Sequence, residues 1–287
     1  MADQLWQVKQ EICDIGKRIW QRGYCAGNEG NHSVRISEDR VACTPTGISK
    51  GFLRPDMICI TDMDGNQVDG NKKYKRTSEV KVHLAIYKQR PDIKAVVHSH
   101  PPHATAFALV GMPIPEGVHP EAEVFLGRIP MAPYATPSTH DLPNSILPLI
   151  DDLTNTVMMG NHGSVSFAST LQQAYYNLEI LDAYCRILIL TRDLGPVNVL
   201  KPDQMTELLE VKEKFGFPDK RLSCAPTGCV GDVNEPFLAE FNEVRPEGAT
   251  CSCNGGSVQH STGGITAEQL ESVVQAVTDQ IIANGKN

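Results

Sequence analysis

The sequence predicts an α/β domain with helices on both faces of its sheet, and three features carry that expectation. Short β-branched runs bounded by turn residues recur around 33–60, near 93–99 and 129–133, and over 156–167, which is the length and composition of strands. Apolar residues at helical spacing open the chain, with Leu5, Val8, Ile12, Ile15 and Ile19 on one stripe. A longer run of the same kind covers Leu171 to about Thr191. Such a chain buries its apolar faces by packing helices against the sheet.

The elements follow in order. The opening segment MADQLWQVKQEICDIGKRIW lacks the apolar core of a signal peptide, and no stretch reaches transmembrane length. Its stripe makes it an amphipathic helix lying on the core. After the strands between Ser33 and Ile60, a helix is expected from Ser78, with Val80, Leu84 and Tyr87 recurring beside Val82, Ala85 and Ile86. Glu79 falls in its first turn, where the backbone holds it. Ile93 to Ser99 (IKAVVHS) follows a Pro-Asp break and reads as a strand. Side chains two apart on a strand share a face, so His98 and His100 point the same way. Pro101-Pro102 ends the strand, because proline cannot donate to a ladder, and leaves both rings at its end facing a cleft. His162 lies between Asn161 and Gly163, where the glycine is expected to permit a tight turn that aims the imidazole out of the sheet edge.

Glu79, His98, His100 and His162 are therefore candidate ligands of one metal. Three neutral imidazoles and a carboxylate form a nitrogen-rich set of the kind zinc takes, and a carboxylate that can leave the metal can accept a proton. That combination points to an enzyme. Residue logic alone leaves the fourth ligand open, because His103, His119 and His140 are also available.

Composition is compatible with this. At 287 residues with 41% apolar and 21% charged content, the chain is large enough for one sizeable core plus an appendage. A net charge of -8 argues against nucleic acid or an anionic membrane as partner, although an acidic protein can bind phosphate locally. Nine cysteines scattered without a framework suit a reducing cytosol, and no disulfides are expected.

Six motifs occur in order: NEGNHSVR at 28–35, TPTG at 44–47, RTSE at 76–79, AVVHSHP at 95–101, APYAT at 132–136 and NHG at 161–163. Over about Leu5 to Phe215 the chain resembles the zinc-dependent class II aldolases, the family that includes fuculose-phosphate and rhamnulose-phosphate aldolases, ribulose-phosphate 4-epimerase and the adducin head. The resemblance implies a three-layer α/β/α fold with a central, mainly antiparallel sheet, and usually a homotetramer. It places Glu79, His98, His100 and His162 on the metal site with one Zn2+ per subunit, and makes Glu79 the acid/base carboxylate. It places Gly30, Asn31, Thr46, Gly47, Thr77 and Ser78 on the phosphate-binding loops. The residues agree, since glycines let backbone N–H groups approach an anion and a helix N-terminus favours phosphate. The implied reaction is retro-aldol cleavage of a deoxyketose 1-phosphate, L-fuculose or L-rhamnulose 1-phosphate, to dihydroxyacetone phosphate and lactaldehyde. The ion would act as a Lewis acid.

Two positions depart from the resemblance. Where fuculose-phosphate aldolases carry a tyrosine after an Ile-Pro step, His119 or its neighbours Glu121 and Glu123 stand here, and Phe215 takes the place of a second tyrosine. The proton donor to the aldehyde oxygen is left unassigned. Sugar-phosphate dehydration on the same scaffold is the chief alternative. A 4-epimerase is disfavoured, because those relatives carry Asp where Glu79 stands, and a non-catalytic adducin-like head would be expected to lose the ligands.

Beyond the expected catalytic domain, 1–218, the composition changes. Residues 219–264 are rich in Gly, Pro, Ser, Asn and Thr and read as a flexible linker. Cys224, Cys229, Cys251 and Cys253 lie in it with a spacing uncommon for zinc, and are expected to be unpaired. In 265–287, Thr266 and Gln269 form a capping box, and Leu270, Val273, Val274, Val277 and Ile281 make one apolar stripe. A short amphipathic helix on a Gly-rich tether needs a partner surface. It resembles the encapsulation peptides that carry enzymes into bacterial microcompartments, which implies shell proteins as partners and a cytoplasmic protein housed in the lumen. The alternative is a terminal helix packed on its own oligomer.

Overall fold

The computed structural model describes residues 2–243. The chain opens with α1 (Ala2–Gln21), then β1 (Asn31–Arg35), β2 (Val41–Cys43), β3 (Cys59–Thr61) and β4 (Gln67–Asp69). Next come α2 (Val80–Gln89), β5 (Ala95–Ser99), α3 (Pro102–Val110), α4 (Pro120–Phe125), β6 (Met131–Ala132) and α5 (Asp141–Ile146). β7 (Thr156–Met159), β8 (Gly163–Ala168), α6 (Leu171–Thr191), α7 (Pro202–Lys214) and α8 (Glu235–Glu243) complete it. Among these residues no helix is long and apolar enough to cross a membrane.

The eight strands form one sheet in the order β4-β3-β2-β1-β5-β8-β7-β6. Every neighbouring pair is antiparallel except β6 and β7. Alternation along the strands separates two apolar layers. Val96, Val157, Val165 and Phe167 pack with Val80, Leu84 and Ile86 of α2 and Leu142 and Ile146 of α5. Ala42, Ile60, Ala95 and Val97 pack on the other face with Ile12, Ile15 and Ile19 of α1 and Leu171, Ala174 and Leu178 of α6. The expected mainly antiparallel sheet between two helical layers is therefore present. Fully buried side chains such as Phe167 and Ile12 each contribute about 1.5–3 kcal/mol through lost apolar exposure.

This layering positions the site. Asn31 pairs with His98 across β1 and β5, and Ser99 pairs with Ser164 across β5 and β8. Cross-strand partners share a face, so Asn31 and His98 look toward α2, whose first residue follows Glu79. The turn joining β7 to β8, which carries His162, stands beside the end of β5.

Three local expectations are corrected. Glu79 is not in the first turn of the helix but occupies the position before it, with φ -94° and ψ 11°. In the His162 turn the left-handed residue is Asn161, with φ 57°, and Gly163 serves a different need. A Cβ on Gly163 would lie 2.6 Å from the Ser99 carbonyl oxygen and 2.7 Å from His100 Cδ2, so the glycine lets this turn close against the end of β5.

The third concerns the segment after Phe215. Residues 219–243, expected as the start of the linker, contain helical turns at Lys220–Ser223 and Ala225–Thr227 and then α8. Two kinds of contact fix it: Arg221 reaches Asp219 at 2.8 Å and Glu123 at 2.9 Å while Lys212 donates to Asp219 and to the Glu123 carbonyl, and Ala225 and Phe237 are buried against Met205 and Leu209 and against Phe107 and Tyr184. Low apolar periodicity is compensated here by ion pairs to distant carboxylates, which composition does not show. Cys224 and Cys229 form a disulfide, contrary to the expectation of unpaired thiols; the intervening turn brings their Cα atoms to 5.6 Å, within bridging range. Cys251, Cys253 and the helix expected over 265–287 lie outside the described residues.

Candidate metal and substrate site

Three imidazoles meet at the end of the sheet. One ring nitrogen each from His98, His100 and His162 lie within 4.8 Å of one another. The ring centroids are 4.7–4.9 Å apart and the planes cross at 63–65°, an almost three-fold arrangement about a common centre. His98 arrives on β5, His100 two residues beyond it through a backbone bond to the Tyr24 carbonyl, and His162 on the β7–β8 turn. His98 Nδ1 donates to the Ser164 carbonyl at 2.9 Å, which leaves Nε2 as the acceptor facing the other rings. A histidine ligand is commonly oriented in this way by its second nitrogen.

Glu79 stands beside two of these rings. Its Oε2 lies 3.3 Å from His98 Nε2 and accepts from the Asn31 amide at 2.8 Å, while Oε1 lies 3.7 Å from His162 Nε2. Oε1 is buried with no hydrogen-bond donor. Burial by itself would raise the Glu79 carboxyl, but His98, the Asn31 hydrogen bond and His162 outweigh it and hold the group below its ordinary value. Desolvation, helped by His98 and in the case of His100 by His162, lowers His100 to about 3 and His162 to about 4. Both rings are thus neutral at physiological pH. Neutral imidazoles, an ionised carboxylate and an orphaned buried oxygen on a common centre fit a divalent metal.

The other described histidines are engaged elsewhere. His103 bonds Asp182 at 2.9 Å, His140 meets Lys81 Nζ at 2.9 Å, and His119 caps α4 and pairs with Glu121 at 3.4 Å. His32 looks to the opposite face of the sheet and bonds the Ile12 carbonyl at 2.7 Å.

Of the residues expected to bind phosphate, Asn31 touches the centre directly, its amide donating to Glu79 Oε2 at 2.8 Å. Gly30, at φ 74°, passes under the His98 carbonyl, where a Cβ would come within 3.0 Å. The 44–47 and 75–77 segments run together through the Pro45–Arg76 bridge, Thr77 N to Thr44 O at 3.0 Å and Thr46 N to Lys75 O at 2.8 Å. Gly47 has φ 74° and open space at its Cβ position, Ser78 is exposed, and Thr77 is buried with its hydroxyl accepting from Glu79 N.

One feature was missed by sequence reasoning. Ser33 on β1 bonds His83 at 2.7 Å and Tyr87 at 2.8 Å, one and two turns after Glu79 on α2. With the Asn31–Glu79 contact this makes a polar ladder that fixes the helix against the strand. The spacing 79, 83, 87 against 31, 33 was its only signal.

Residues 10–189 match the family described as Class II Aldolase and Adducin N-terminal domain. The chain belongs to this family. It is 31% identical over 185 residues to an L-fuculose phosphate aldolase of Methanococcus maripaludis, covering 64% of this chain and 96% of the relative. A 5-deoxy-D-ribulose 1-phosphate aldolase of Bacillus thuringiensis is 30% identical, covering 74% and 98%, and a 3-oxo-tetronate 4-phosphate decarboxylase of Escherichia coli is 30% identical, covering 70% and 94%. A solved L-fuculose 1-phosphate aldolase superposes with a TM-score of 0.66 at 31% identity, covering 74% and 97%. Within this family the chain is a class II aldolase, a carbon–carbon lyase, and its three-histidine cluster with Glu79 is the candidate centre.

Of the groups considered for the missing proton donor, Glu123 is buried and engaged by Arg221 and Gly117 N, and Phe215 is an exposed hydrocarbon ring with no proton to exchange. His119 and Glu121 keep partial exposure.

Proposed function

We propose that the protein is a zinc-dependent aldolase that cleaves a deoxyketose 1-phosphate, L-fuculose or L-rhamnulose 1-phosphate, to dihydroxyacetone phosphate and lactaldehyde. The observation that carries this is the convergence of His98, His100 and His162 on a buried Glu79 whose Oε1 has no donor. These four residues would hold Zn2+, which, when bound, supplies a Lewis acid for the sugar's carbonyl and hydroxyl oxygens. Asn31 holds Glu79 through Oε2, so Oε1 is the oxygen free to carry a proton. When the C3–C4 bond breaks, the C4 hydroxyl loses its proton and becomes the aldehyde carbonyl, the electron pair stays on C3, and the ionised Glu79 takes up a proton that it returns to C3, so that the proton lost from the hydroxyl is balanced by the one gained at carbon. The 30–31, 46–47 and 77–78 segments bind the phosphate through backbone N–H groups and short hydroxyl side chains. A lysine Schiff base is not required.

The similarity to a decarboxylase motivates one second reading, loss of CO2 from a 3-oxo acid phosphate, in which the same carboxylate protonates the resulting carbanion. Zinc-loaded protein incubated separately with L-fuculose 1-phosphate, L-rhamnulose 1-phosphate and 3-oxo-tetronate 4-phosphate separates the two. Trapped dihydroxyacetone phosphate supports the aldolase. Released CO2 without it supports the decarboxylase, and water loss without carbon–carbon cleavage removes both.

The assembly is read as a homotetramer in the cytoplasm, with residues 265–287 carrying it to shell proteins of a bacterial microcompartment. The capping box and single apolar stripe of that segment support this reading.

A further inference from the structure

Among the described residues two lysines, Lys50 and Lys212, are buried, and they are treated differently. Lys212 is paired with Asp219 at 2.8 Å. The Lys50 ammonium, on a residue only 1% exposed, donates to two neutral oxygens, the carbonyls of Asn28 and Ile48, each at 2.8 Å. Among the described residues no carboxylate forms an ion pair with it. Burying a cation without a counter-ion is costly, and a fold that keeps one has a use for the charge.

Its location indicates the use. Asn28 leads into Gly30 and Asn31, and Ile48 follows Thr46 and Gly47, so the ammonium ties together two of the loops read as phosphate-binding. The tether is anchored from behind by α1. A Cβ on Gly16 would stand 2.8 Å from the Lys50 carbonyl, and one on Gly51 2.6 Å from the Trp20 ring. Neither the turn at Lys50–Phe52 nor α1 can retreat without losing this contact. Desolvation lowers Lys50 to about 8, against the pull of Cys25, Glu29 and Glu79, so the group is mostly charged at neutral pH. Glu29 is itself held by the Ala26 and Gly27 amides.

We propose that Lys50 is the fixed positive charge of the phosphate subsite, a positioning residue that holds the 28–31 and 46–49 loops together and balances a phosphate monoester dianion bound between them. This rests on the reading of those loops as phosphate-binding. A phosphate bound there supplies the negative charge that the protein does not place beside the ammonium.

The test uses the full-length, zinc-loaded protein with inorganic phosphate as probe. Calorimetry on wild type and Lys50→Met should show phosphate binding weakened at least about tenfold by the substitution, the size expected for losing one charge-assisted interaction. KM for the sugar phosphate should rise by about the same factor, and kcat/KM should fall further for the sugar phosphate than for the unphosphorylated sugar, with zinc still bound. Equal phosphate affinity in both proteins, or an equal loss with the unphosphorylated sugar, overturns the assignment. Should Lys50→Met not fold, wild type labelled with 15N-lysine answers instead: the buried ammonium resonance must shift on adding phosphate, and a resonance that does not move overturns the proposal. Wild type that binds phosphate beside Lys50 yet cleaves no sugar phosphate would leave the subsite standing and remove the aldolase reading.

Discussion

Substituting Gly163 by alanine tests whether the three-histidine centre depends on the close approach of two backbone segments. The added Cβ would sit 2.6 Å from the Ser99 carbonyl oxygen and 2.7 Å from His100 Cδ2. Reaching ordinary van der Waals separation requires the β7–β8 turn to move away from the end of β5 by about 0.8 Å. Because the first clash is with backbone, no rotamer change relieves it, and overpacking of this kind costs about 1–3 kcal/mol. His162 and His100 stand on the two sides of the gap, so their separation must change with it. A misplacement near 1 Å lowers a rate by about a hundredfold. Gly111→Ala is the control: its φ is 66° with nothing within 4 Å of the new Cβ. Forcing alanine into that left-handed conformation costs about 1–2 kcal/mol. Denaturant unfolding should therefore show comparable losses for both variants. Competition with a chromogenic chelator should show weakened zinc affinity, and steady-state kinetics a depressed kcat, for Gly163→Ala alone. Native zinc affinity and turnover in Gly163→Ala would refute the claim that this contact sets the ligand geometry.

Other outcomes follow from the same structure. Glu79→Gln should keep the Asn31 contact and the fold but lower kcat by about 10²–10⁴-fold, the usual loss when a proton-transferring group is removed; near-native kcat would assign the proton to another residue. Dialysis against a chelator should abolish turnover and restoration with Zn2+ should recover it, with far-ultraviolet circular dichroism unchanged, since the layers around the site are held by apolar packing. The Asp219 carboxyl is held below its ordinary value because Arg221 and Lys212 overcome its desolvation. A depressed carboxyl stabilises the fold above its unfolded value and loses that contribution as pH falls toward the folded one, so acid unfolding of wild type should steepen below about pH 4. Asp219→Asn should be less stable at pH 7 and flatter in that acid range; a parallel profile would show that the pair contributes nothing. On the proposed targeting role, removing 265–287 should leave cleavage intact and abolish co-sedimentation with microcompartment shells, whereas loss of folding or activity would assign that segment to the protein's own oligomer instead.

Much of the site was legible because its determinants are local. An H-x-H pair at the end of a β-branched run already places two rings on one face, and RTSE ahead of an apolar-periodic run already places a carboxylate at a helix start. The long helix over Leu171–Thr191 and the stripe of α1 were readable for the same reason, a regular period in hydrophobicity. Lys50 carried no such mark. Its burial arises from α1 packing on a short turn and from the Asn28 carbonyl, on a loop 22 residues away. The fold of 219–243 was equally hidden, since it depends on Arg221 reaching Glu116 and Glu123, about a hundred positions earlier, and on Phe237 packing with Phe107 and Tyr184. Gly163 was recognised as a turn residue but for the wrong reason, because its neighbour across the gap is not its neighbour in sequence.

The chain by itself determined the main strand runs, the helices α1, α2 and α6, and the shared face of His98 and His100, because these depend on periods of two and 3.6 residues within one segment, whereas α3, α4, α5, α7 and α8 were not read from it. Residue patterns left His103, His119 and His140 open beside His162, which the resemblance singled out; the tertiary structure brings His162 to the other two rings, leaves one Glu79 oxygen without a donor, and encloses a lysine between two loops. These depend on the antiparallel register of β1, β5 and β8, which sets distances between segments that no local pattern encodes.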